Sequence, residues 1–403
     1  AAEVTALYEA GALGTITGLG NEALTISDSV TVAQANAVAA LTSGAVTATL
    51  AEGSLSALGG LAETNNHYTV TITDTAIDAA ALNALNDKTD VTITISGATA
   101  VNGSYADVNA VLTSAGITGW SNPAVTLAGT VTLAQAATIA GLTGGVVSAT
   151  VQDTATNLLT LELGNAFAMK VTDGTIDAAK LKTLDANTTV SVDVSLSNAI
   201  SGTYSDVLDA YTANTNGSVV GLGNEAITVS GSISASNANT LASKTSGLIT
   251  ATLTEANLAA YSGLTAAGAF TISLSDTTLS ASALNALDAK TAGVITLTTT
   301  GPVLSGSYAD VTAVLSSGGI AGWSNPVVTI TDTVTALQAN AVATQTSGVV
   351  TATLIADTAA AINAALTDGT ANAYTITVTD TNASAAALTV LDGKTTVAIN
   401  AAA

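Results

Sequence analysis

Several residue types that build functional sites are missing or scarce in this chain. Its 403 residues contain no cysteine and no arginine, one histidine (His67) and only 3% aromatic residues. Without cysteine, the chain has no disulfides, thiol nucleophiles or thiolate metal ligands. A single histidine also excludes most histidine-dependent catalytic and zinc sites. We therefore predict no catalytic, cofactor-binding or metal-binding residues, and we expect His67, in a turn before a strand, to be an ordinary surface residue.

Charge is scarce as well, and nearly all of it is negative. Charged residues make up 9% of the chain, and seven lysines face 29 acids, for a net charge of −22. That balance disfavours nucleic acid and anionic membranes, which need cationic patches. No run of 18 apolar residues is present, so no membrane insertion is predicted. The same charge can attract divalent cations, so weak calcium binding stays open although no cofactor is predicted.

A long internal repeat organises the sequence. Four segments share one design, with an equivalent asparagine at positions that are 101, 102 and 101 residues apart. We predict four super-repeats of about 101 residues within a single continuous domain, 1–403. The asparagines are Asn21, Asn122, Asn224 and Asn325. The super-repeats are approximately 21–121, 122–223, 224–324, and 325–403 together with 1–20.

A shorter repeat, here called a coil, lies inside each super-repeat. Most coils have 22–25 residues and read strand, turn, helix, turn, and every fourth coil is about 10 residues longer. The strands alternate apolar residues with threonine, as in "YTVTIT" (68–73). In "DAAALNALNDKT" (78–89), Ala81, Leu82 and Leu85 are predicted to share one buried helix face. Sixteen strands are predicted, centred on Ile26, Ala48, Ile72, Ile93, Leu127, Ala149, Met169, Val192, Val229, Ala251, Ile272, Leu297, Ile330, Ala352, Ile376 and Ile399.

One coil cannot bury its own apolar side, but a stack of coils can. The predicted fold is therefore α/β: a right-handed β/α solenoid of short parallel strands and short helices. Its spacing is similar to that of a leucine-rich repeat, without the buried asparagine ladder of that family. Lysine at the helix end suits the helix dipole and indicates a structural role. These lysines are Lys88, Lys244, Lys290 and Lys394.

Recurrent acids are open to two interpretations. Six aspartates lie at the predicted ends of strands, in segments rich in serine and threonine. This pattern is typical either of an Asx turn that leads into the helix or of a ladder of calcium sites. A second set follows a tyrosine by two residues and is predicted to lie in the first turn of a helix. The first set is Asp28, Asp74, Asp173, Asp276, Asp332 and Asp380, and the second is Asp107, Asp206 and Asp310.

Much of the aromatic character of the sequence is concentrated in the long fourth coil. There the aromatic residues either fill a wider core or form a periodic docking ridge. They are Tyr105, Tyr204, Tyr308, Trp120 and Trp323.

The outward strand positions carry an unusual series of threonines. They form a stable solvated β surface, pack against another sheet, or bind a glycan or ice. The series is Thr69, Thr71, Thr73, Thr92, Thr94, Thr228, Thr250, Thr252, Thr271, Thr296, Thr298, Thr329, Thr351, Thr353, Thr375 and Thr377.

Both ends of the sequence suggest continuation. The opening "AAEVTALYEA" lacks the regions of a signal peptide, so we expect that one was removed or never present. The first residues read as the tail of a fourth coil, and the last as a third coil without its fourth. Neither end has a recognisable polar cap, so we expect either a longer parent chain or copies that stack head to tail.

The wording "ALNALNDKT", "VTITDT", "GLGNEA" and "AVAALTSGAVTATL" resembles the repeat regions of giant cell-surface proteins from marine cyanobacteria and related bacteria. The resemblance extends over essentially all 403 residues and implies an extracellular, non-enzymatic role. Two functions stay open. One is a structural filament, sheath or surface layer whose partners are further copies or repeats. The other is an adhesin stalk or fibre that binds a surface, glycan or ice through its threonine-rich face.

Overall fold

The computed structural model describes residues 1–62, 64, 66–161, 164–369 and 372–401. It shows an α/β structure in which short strands alternate along the chain with short helices. Neighbouring strands pair in parallel, as in β-strands 24–30 and 46–50, whose Leu24 and Val46 are partners. The coarse prediction of an α/β repeat with short parallel strands is thus confirmed. The finer predictions, a right-handed solenoid that is continuous over 1–403 and four super-repeats, stay predictions.

The helices of the described residues are mostly seven to thirteen residues long. They are α1 (Ala2–Ala12), α2 (Val32–Ala39), α3 (Leu55–Leu58), α4 (Ala79–Asn86), α5 (Tyr105–Thr113), α6 (Leu133–Leu142), α7 (Ala155–Leu158), α8 (Ala178–Asn187), α9 (Tyr204–Asn216), α10 (Ala235–Ala242), α11 (Ala281–Asp288), α12 (Tyr308–Ser316), α13 (Ala336–Ala343), α14 (Ala359–Ala365) and α15 (Ala385–Asp392), with one 3-10 helix, η1 (Leu258–Gly263).

The strands have two to eight residues. They are β1 (Leu24–Val30), β2 (Val46–Leu50), β3 (His67–Thr69), β4 (Thr71–Ile72), β5 (Ala76–Asp78), β6 (Ile93–Ile95), β7 (Ala100–Gly103), β8 (Ile117–Thr118), β9 (Ala124–Val131), β10 (Val147–Asp153), β11 (Ala166–Val171), β12 (Thr175–Asp177), β13 (Val192–Asp193), β14 (Ala199–Gly202), β15 (Val219–Val220), β16 (Ala226–Ile233), β17 (Ile249–Leu253), β18 (Ala269–Leu274), β19 (Thr278–Ser280), β20 (Ile295–Leu297), β21 (Val303–Gly306), β22 (Ile320–Ala321), β23 (Val327–Val334), β24 (Val350–Leu354) and β25 (Ala373–Thr375).

Packing divides the chain into two compact units. Unit 1 holds sheets of order β1-β2-β3, β4-β6-β8 and β15-β13-β11-β10-β9-β7-β5, and unit 2 holds the orders β14-β16-β17-β18-β20-β22 and β19-β21-β23-β24-β25. Unit 1 comprises Ala1–Ile176, Lys180–Ser197 and Thr212–Gly221, and unit 2 comprises Asp177–Ala179, Asn198–Tyr211 and Leu222–Ala403.

Fourteen of the sixteen predicted strand centres lie within strands. The two nearest the C-terminus do not, since Ile376 follows β25 and Ile399 precedes only an isolated bridge at Asn400. The prediction of one strand per coil is wrong for several coils, which also contain a second short strand near the helix, such as β5 or β19. These two- to four-residue strands are too short to show an alternation of their own.

The core lies between the strands and the helices. In residues 68–73, Tyr68, Val70 and Ile72 are buried and the threonines between them are exposed, as the alternation predicts. Helix α4 differs from its prediction: Leu82 and Leu85 are buried, but Ala81 is exposed and Ala79 completes the buried face. Residues three apart share a helix face, so the stripe 79, 82, 85 is the one that meets the sheet.

Two of the predicted strand-closing aspartates lie inside strands instead. Asp28 belongs to β1 and Asp332 to β23, each at a point where the register with the next strand shifts. Glycine occupies the equivalent place in β9 and β16, where Gly129 and Gly231 have φ of 77° and 81°. The shift bends the strand at the corner of the coil, which turns the following residues toward the helix.

Candidate functional site

The most regular polar feature of the molecule is a set of carboxylates at the corner between strand and helix. Asp74 Oδ2 accepts the backbone N–H of Leu55, the first residue of α3, at 2.7 Å. Leu55 lies 19 residues earlier in the chain, in the preceding coil. The acid therefore accepts a helix N–H, as the Asx-turn interpretation requires, but the helix belongs to the neighbouring coil and not to the one that follows.

The same contact recurs along the chain. In each case a carboxylate accepts the N–H of the first residue of the helix in the preceding coil, where the helix dipole and an unpaired N–H favour an anion. Two of the acids, Glu52 and Glu255, were not singled out by sequence reasoning. The contacts are Glu52 with Val32, Asp173 with Ala155, Glu255 with Ala235, Asp276 with Leu258, Asp332 with Tyr308 and Asp380 with Ala359.

Many of the helix starts also have a local cap, although α1 and η1 have none from a side chain. Ser54 accepts the N–H of Ala57 at the start of α3, and Asp78 accepts that of Ala81 at the start of α4. Because an α-helix begins with four unpaired N–H groups, one is satisfied within the coil and another by the next coil. The carboxylates that join coils, here called the capping acids, thus couple the formation of one helix to the presence of the next coil.

Threonines in the turn between helix and strand form a second set of contacts between coils. Thr89, which is buried, donates its hydroxyl to the carbonyl of Tyr68 and accepts the Tyr68 N–H, both at 2.9 Å. Its residue type and position recur in seven further coils, and these turn threonines were not predicted. The further donors to a carbonyl of the preceding coil are Thr42, Thr143, Thr188, Thr245, Thr291, Thr346 and Thr395.

Asparagine also bridges coils, at separate places along the chain and not as a ladder through adjacent coils. Asn66 and Asn372 are buried, and their side-chain oxygens accept the N–H of Val46 at 2.8 Å and of Val350 at 2.7 Å. Asn165 accepts the N–H of Val147 at 2.8 Å in the same way. The sequence signal is an asparagine two residues before a strand's buried aromatic, which is weak in a chain rich in asparagine.

The calcium interpretation gains no support from the arrangement of the acids. Among the described residues, no three Asp, Glu, His or Cys side chains are grouped closely enough to hold a metal ion. The second set of aspartates lies in the first turn of its helices, as predicted. Asp107 and Asp310 each accept a bond from the serine that caps α5 or α12, and Asp206 accepts one from Thr203 before α9.

The long coils hold an acid–phenol pair that was not predicted. Glu225 is 1% exposed, and its Oε2 accepts the Gly223 N–H at 2.7 Å and the Tyr211 hydroxyl at 3.1 Å. Burial raises the pKa of Tyr211 well above its usual value, and the Glu225 carboxylate adds to the rise. Glu225 belongs to the repeated segment "GLGNEA", but Tyr211 lies 14 residues earlier, so the sequence does not show that the two side chains pair.

The earlier "GLGNEA" segment, at residues 18–23, makes the same acid–phenol pair. Tyr8 donates its hydroxyl to Glu22 Oε2 at 2.8 Å, and the Gly20 N–H donates to the same oxygen at 2.7 Å. The bonds from Gly20 and then Tyr8 hold the pKa of the Glu22 carboxyl below its usual range.

Two copies of the repeat read "GWSNP" (119–123 and 322–326) where the others read "GLGNE", and there tryptophan replaces this pair. Trp120 and Trp323 are half-buried, and their indole N–H groups are buried without a hydrogen-bond partner among the described residues. Tyr105, Tyr204 and Tyr308 begin α5, α9 and α12 and are also half-buried. Within a long coil Tyr211 is buried, and three large aromatics outside the long coils are fully buried. They are Tyr68, Phe270 and Tyr374.

The remaining singled-out residues have structural contacts. His67 Nδ1 lies 2.5 Å from Asp90 Oδ1 in a half-exposed pair. Lys88 Nζ donates to the Ala62 carbonyl at 3.3 Å, and Lys394 Nζ donates to that of Leu366. Both lysines bond to a carbonyl of the preceding coil, and neither lies in the last turn of its own helix, where the dipole interpretation places it.

The threonine series faces away from the core, as predicted. None of the sixteen is buried, and all but Thr296, Thr329 and Thr377 are exposed. Register aligns them into rows across neighbouring strands, for example Thr228 with Thr250 and Thr353 with Thr375. No helix in the described part of the chain has the length and hydrophobicity to cross a bilayer.

In comparisons with known proteins, no family model matches the chain and no curated protein is significantly similar to it.

Proposed function

We propose that this protein is a structural repeat protein of the cell exterior, which builds a filament, sheath or surface layer by the stacking of coils. The observation that carries the proposal is the recurrence of the capping acids. The coils that make these contacts have one side that offers helix N–H and carbonyl groups and another that offers carboxylates and threonine hydroxyls. Two such sides are complementary, so the stack is able to extend by repetition of one contact.

In this proposal the coils within each compact unit form a right-handed solenoid, and the 101-residue wording marks four super-repeats. Right-handed crossovers are the rule for parallel strands joined through a helix. The cell exterior is proposed from the resemblance to giant cell-surface repeat proteins. The identity as such a repeat region is itself part of the proposal.

Copies of the chain are proposed to join head to tail. A contact between two different faces of identical copies does not close on itself, so it produces a filament. Asp28 supports this arrangement: it has the sequence position of the capping acid Asp332, it is exposed, and its strand β1 is at the edge of its sheet. In the proposal, this carboxylate accepts an N–H group at a helix start of another copy.

Electron microscopy of the purified chain tests the proposal. The expected result is long unbranched fibres of uniform width, with their number rising with protein concentration. Isolated short rods at every concentration would contradict assembly. Fibres that persist with Asp28→Lys would contradict the contact through this carboxylate.

A second candidate function is a binding module that uses the threonine face. The observation that favours it is the exposure of the threonine series, which a purely structural stack does not need. In this case the chain is the stalk or fibre of an adhesin, and its partner is a surface, a glycan or ice.

A further inference from the structure

Six threonines of unit 1 form a two-dimensional array on the outward strand positions of two consecutive sheets, β1-β2-β3 and β4-β6-β8. Register places Thr49 beside Thr69, Thr71 beside Thr94, and Thr94 beside Thr118. On either side of Thr69, residues pair with partners 23 positions later in the chain: Asn66 with Thr89, and Thr71 with Thr94. The same separation places Thr92, the sixth member, beside Thr69. All six side chains are exposed. They are called the threonine array below.

The hydroxyl groups of the array are available to a partner. Among the described residues, only Thr118 Oγ1 bonds to protein, to the Ile93 carbonyl at 3.5 Å. Neighbouring strands lie about 4.8 Å apart, and every second residue of a strand is about 6.7 Å further on, so hydroxyls and methyls repeat in two directions. Threonine is stiff about χ1, so little side-chain entropy is lost when such an array is held by a regular surface.

The array also defines the charge of its partner. Its six members are uncharged in a chain whose net charge is −22, and the charged groups beside it, His67 and Asp90, pair with each other. A cationic or anionic partner would therefore find no complementary charge there. The array contains no aromatic ring on which a sugar could stack. The partner that remains is neutral, rich in hydroxyl donors and acceptors, and periodic in two dimensions.

From this geometry we infer that the threonine array binds ice. The oxygens of ice repeat in two directions on planar lattices, as the hydroxyls of the array do, and its water molecules both donate and accept hydrogen bonds. The threonine methyls fit between the water positions and lose unfavourable contact with liquid water when they do. This inference rests on the second candidate function and does not depend on the assembly of filaments.

Slow growth of an ice hemisphere in a solution of the whole chain tests the inference. The array variant is Thr69→Lys with Thr94→Lys. The matched control is Ala81→Lys with Ala84→Lys, which adds the same charge at exposed positions of α4 in the same coil. A milder pair, Thr69→Val with Thr94→Val, keeps the methyls and removes the hydroxyls, and circular dichroism verifies that each variant is folded.

The expected result is that the wild-type chain and the helix control are included in the ice, and that the array variant is excluded. The valine pair is expected to be included less than wild type. Exclusion of the wild-type chain overturns the inference, and so does equal inclusion of the array variant. Binding to crystalline cellulose or chitin without inclusion in ice also overturns it. Fibres without ice binding would contradict this inference alone, and ice binding by a monomer would contradict assembly alone.

Discussion

At the scale of single residues, the strand positions differ sharply in what they tolerate. Ile93 is completely buried and its neighbour Thr92 is exposed, although both belong to one short stretch of alternating residues. Ile93→Asp buries an unpaired carboxylate and is expected to lower the free energy of unfolding by about 4 kcal/mol or more. Thr92→Asp places the same group in water and is expected to change it by about 0.5 kcal/mol or less.

Urea denaturation followed by circular dichroism measures both changes. Equal losses for the two variants would show that the strand register described here is wrong.

Buried phenols make the stability of unit 2 depend on alkaline pH. Burial raises the pKa of Tyr211, Tyr261 and Tyr374, and the carboxylates of Glu225, Glu255 and Asp368 add to the rise. The folded state therefore keeps the proton while the unfolded chain loses it above its ordinary tyrosine pKa of about 10. Stability is fully present below that value and is lost as pH rises toward the folded pKa.

Thermal melts at pH 8, 9, 10 and 11 test this expectation. The melting temperature should be constant at the lower values and fall above about pH 10. Tyr211→Phe removes one of the three groups, so its melting temperature should fall less steeply than that of wild type over the same range. An unchanged slope would show that the buried phenol does not stay protonated in the folded state.

At the scale of helices and strands, the capping acids link neighbouring coils. Asp74→Ala removes the acceptor of the Leu55 N–H in the preceding coil, whereas Asp78→Ala removes a cap within its own coil. Each is expected to cost about 1–2 kcal/mol of stability. The two variants differ in which helix loosens: α3 for Asp74→Ala and α4 for Asp78→Ala.

Amide hydrogen exchange distinguishes the two cases. Faster exchange in α3 with Asp74→Ala, and in α4 with Asp78→Ala, is the expected pattern. Faster exchange of α4 alone in both variants would mean that Asp74 acts only as a local cap.

These elements also show what could be predicted from sequence. The strands were found because alternation over five or six residues records burial at each position, as it does in residues 68–73. The partner of Asp74 was not found, because a backbone N–H 19 residues earlier leaves no mark in the sequence. Thr89 and Asn66 were missed for the same reason, since their roles depend on how coils stack. The short strands β5 and β19 were missed because three residues carry no periodicity.

At the scale of the whole molecule, stacking explains why so few charges are used. A coil that is covered on both sides needs polar groups only where backbone is left unpaired, at helix starts and turns. The capping acids and the turn threonines occupy those places, and the outer strand surface is left to uncharged threonine. Repetition of one contact gives stability that adds up with the number of coils. The central claim is that this contact also joins separate copies of the chain.

Light scattering over a dilution series, with and without calcium, tests that claim most directly. The comparison is of wild type with Asp28→Lys and with Asp87→Lys, which makes the same charge change at an exposed position just after α4. We predict that the molar mass of wild type and of Asp87→Lys rises with concentration, and that Asp28→Lys stays monomeric. A wild-type chain that remains a monomer at high concentration in both conditions would contradict the account.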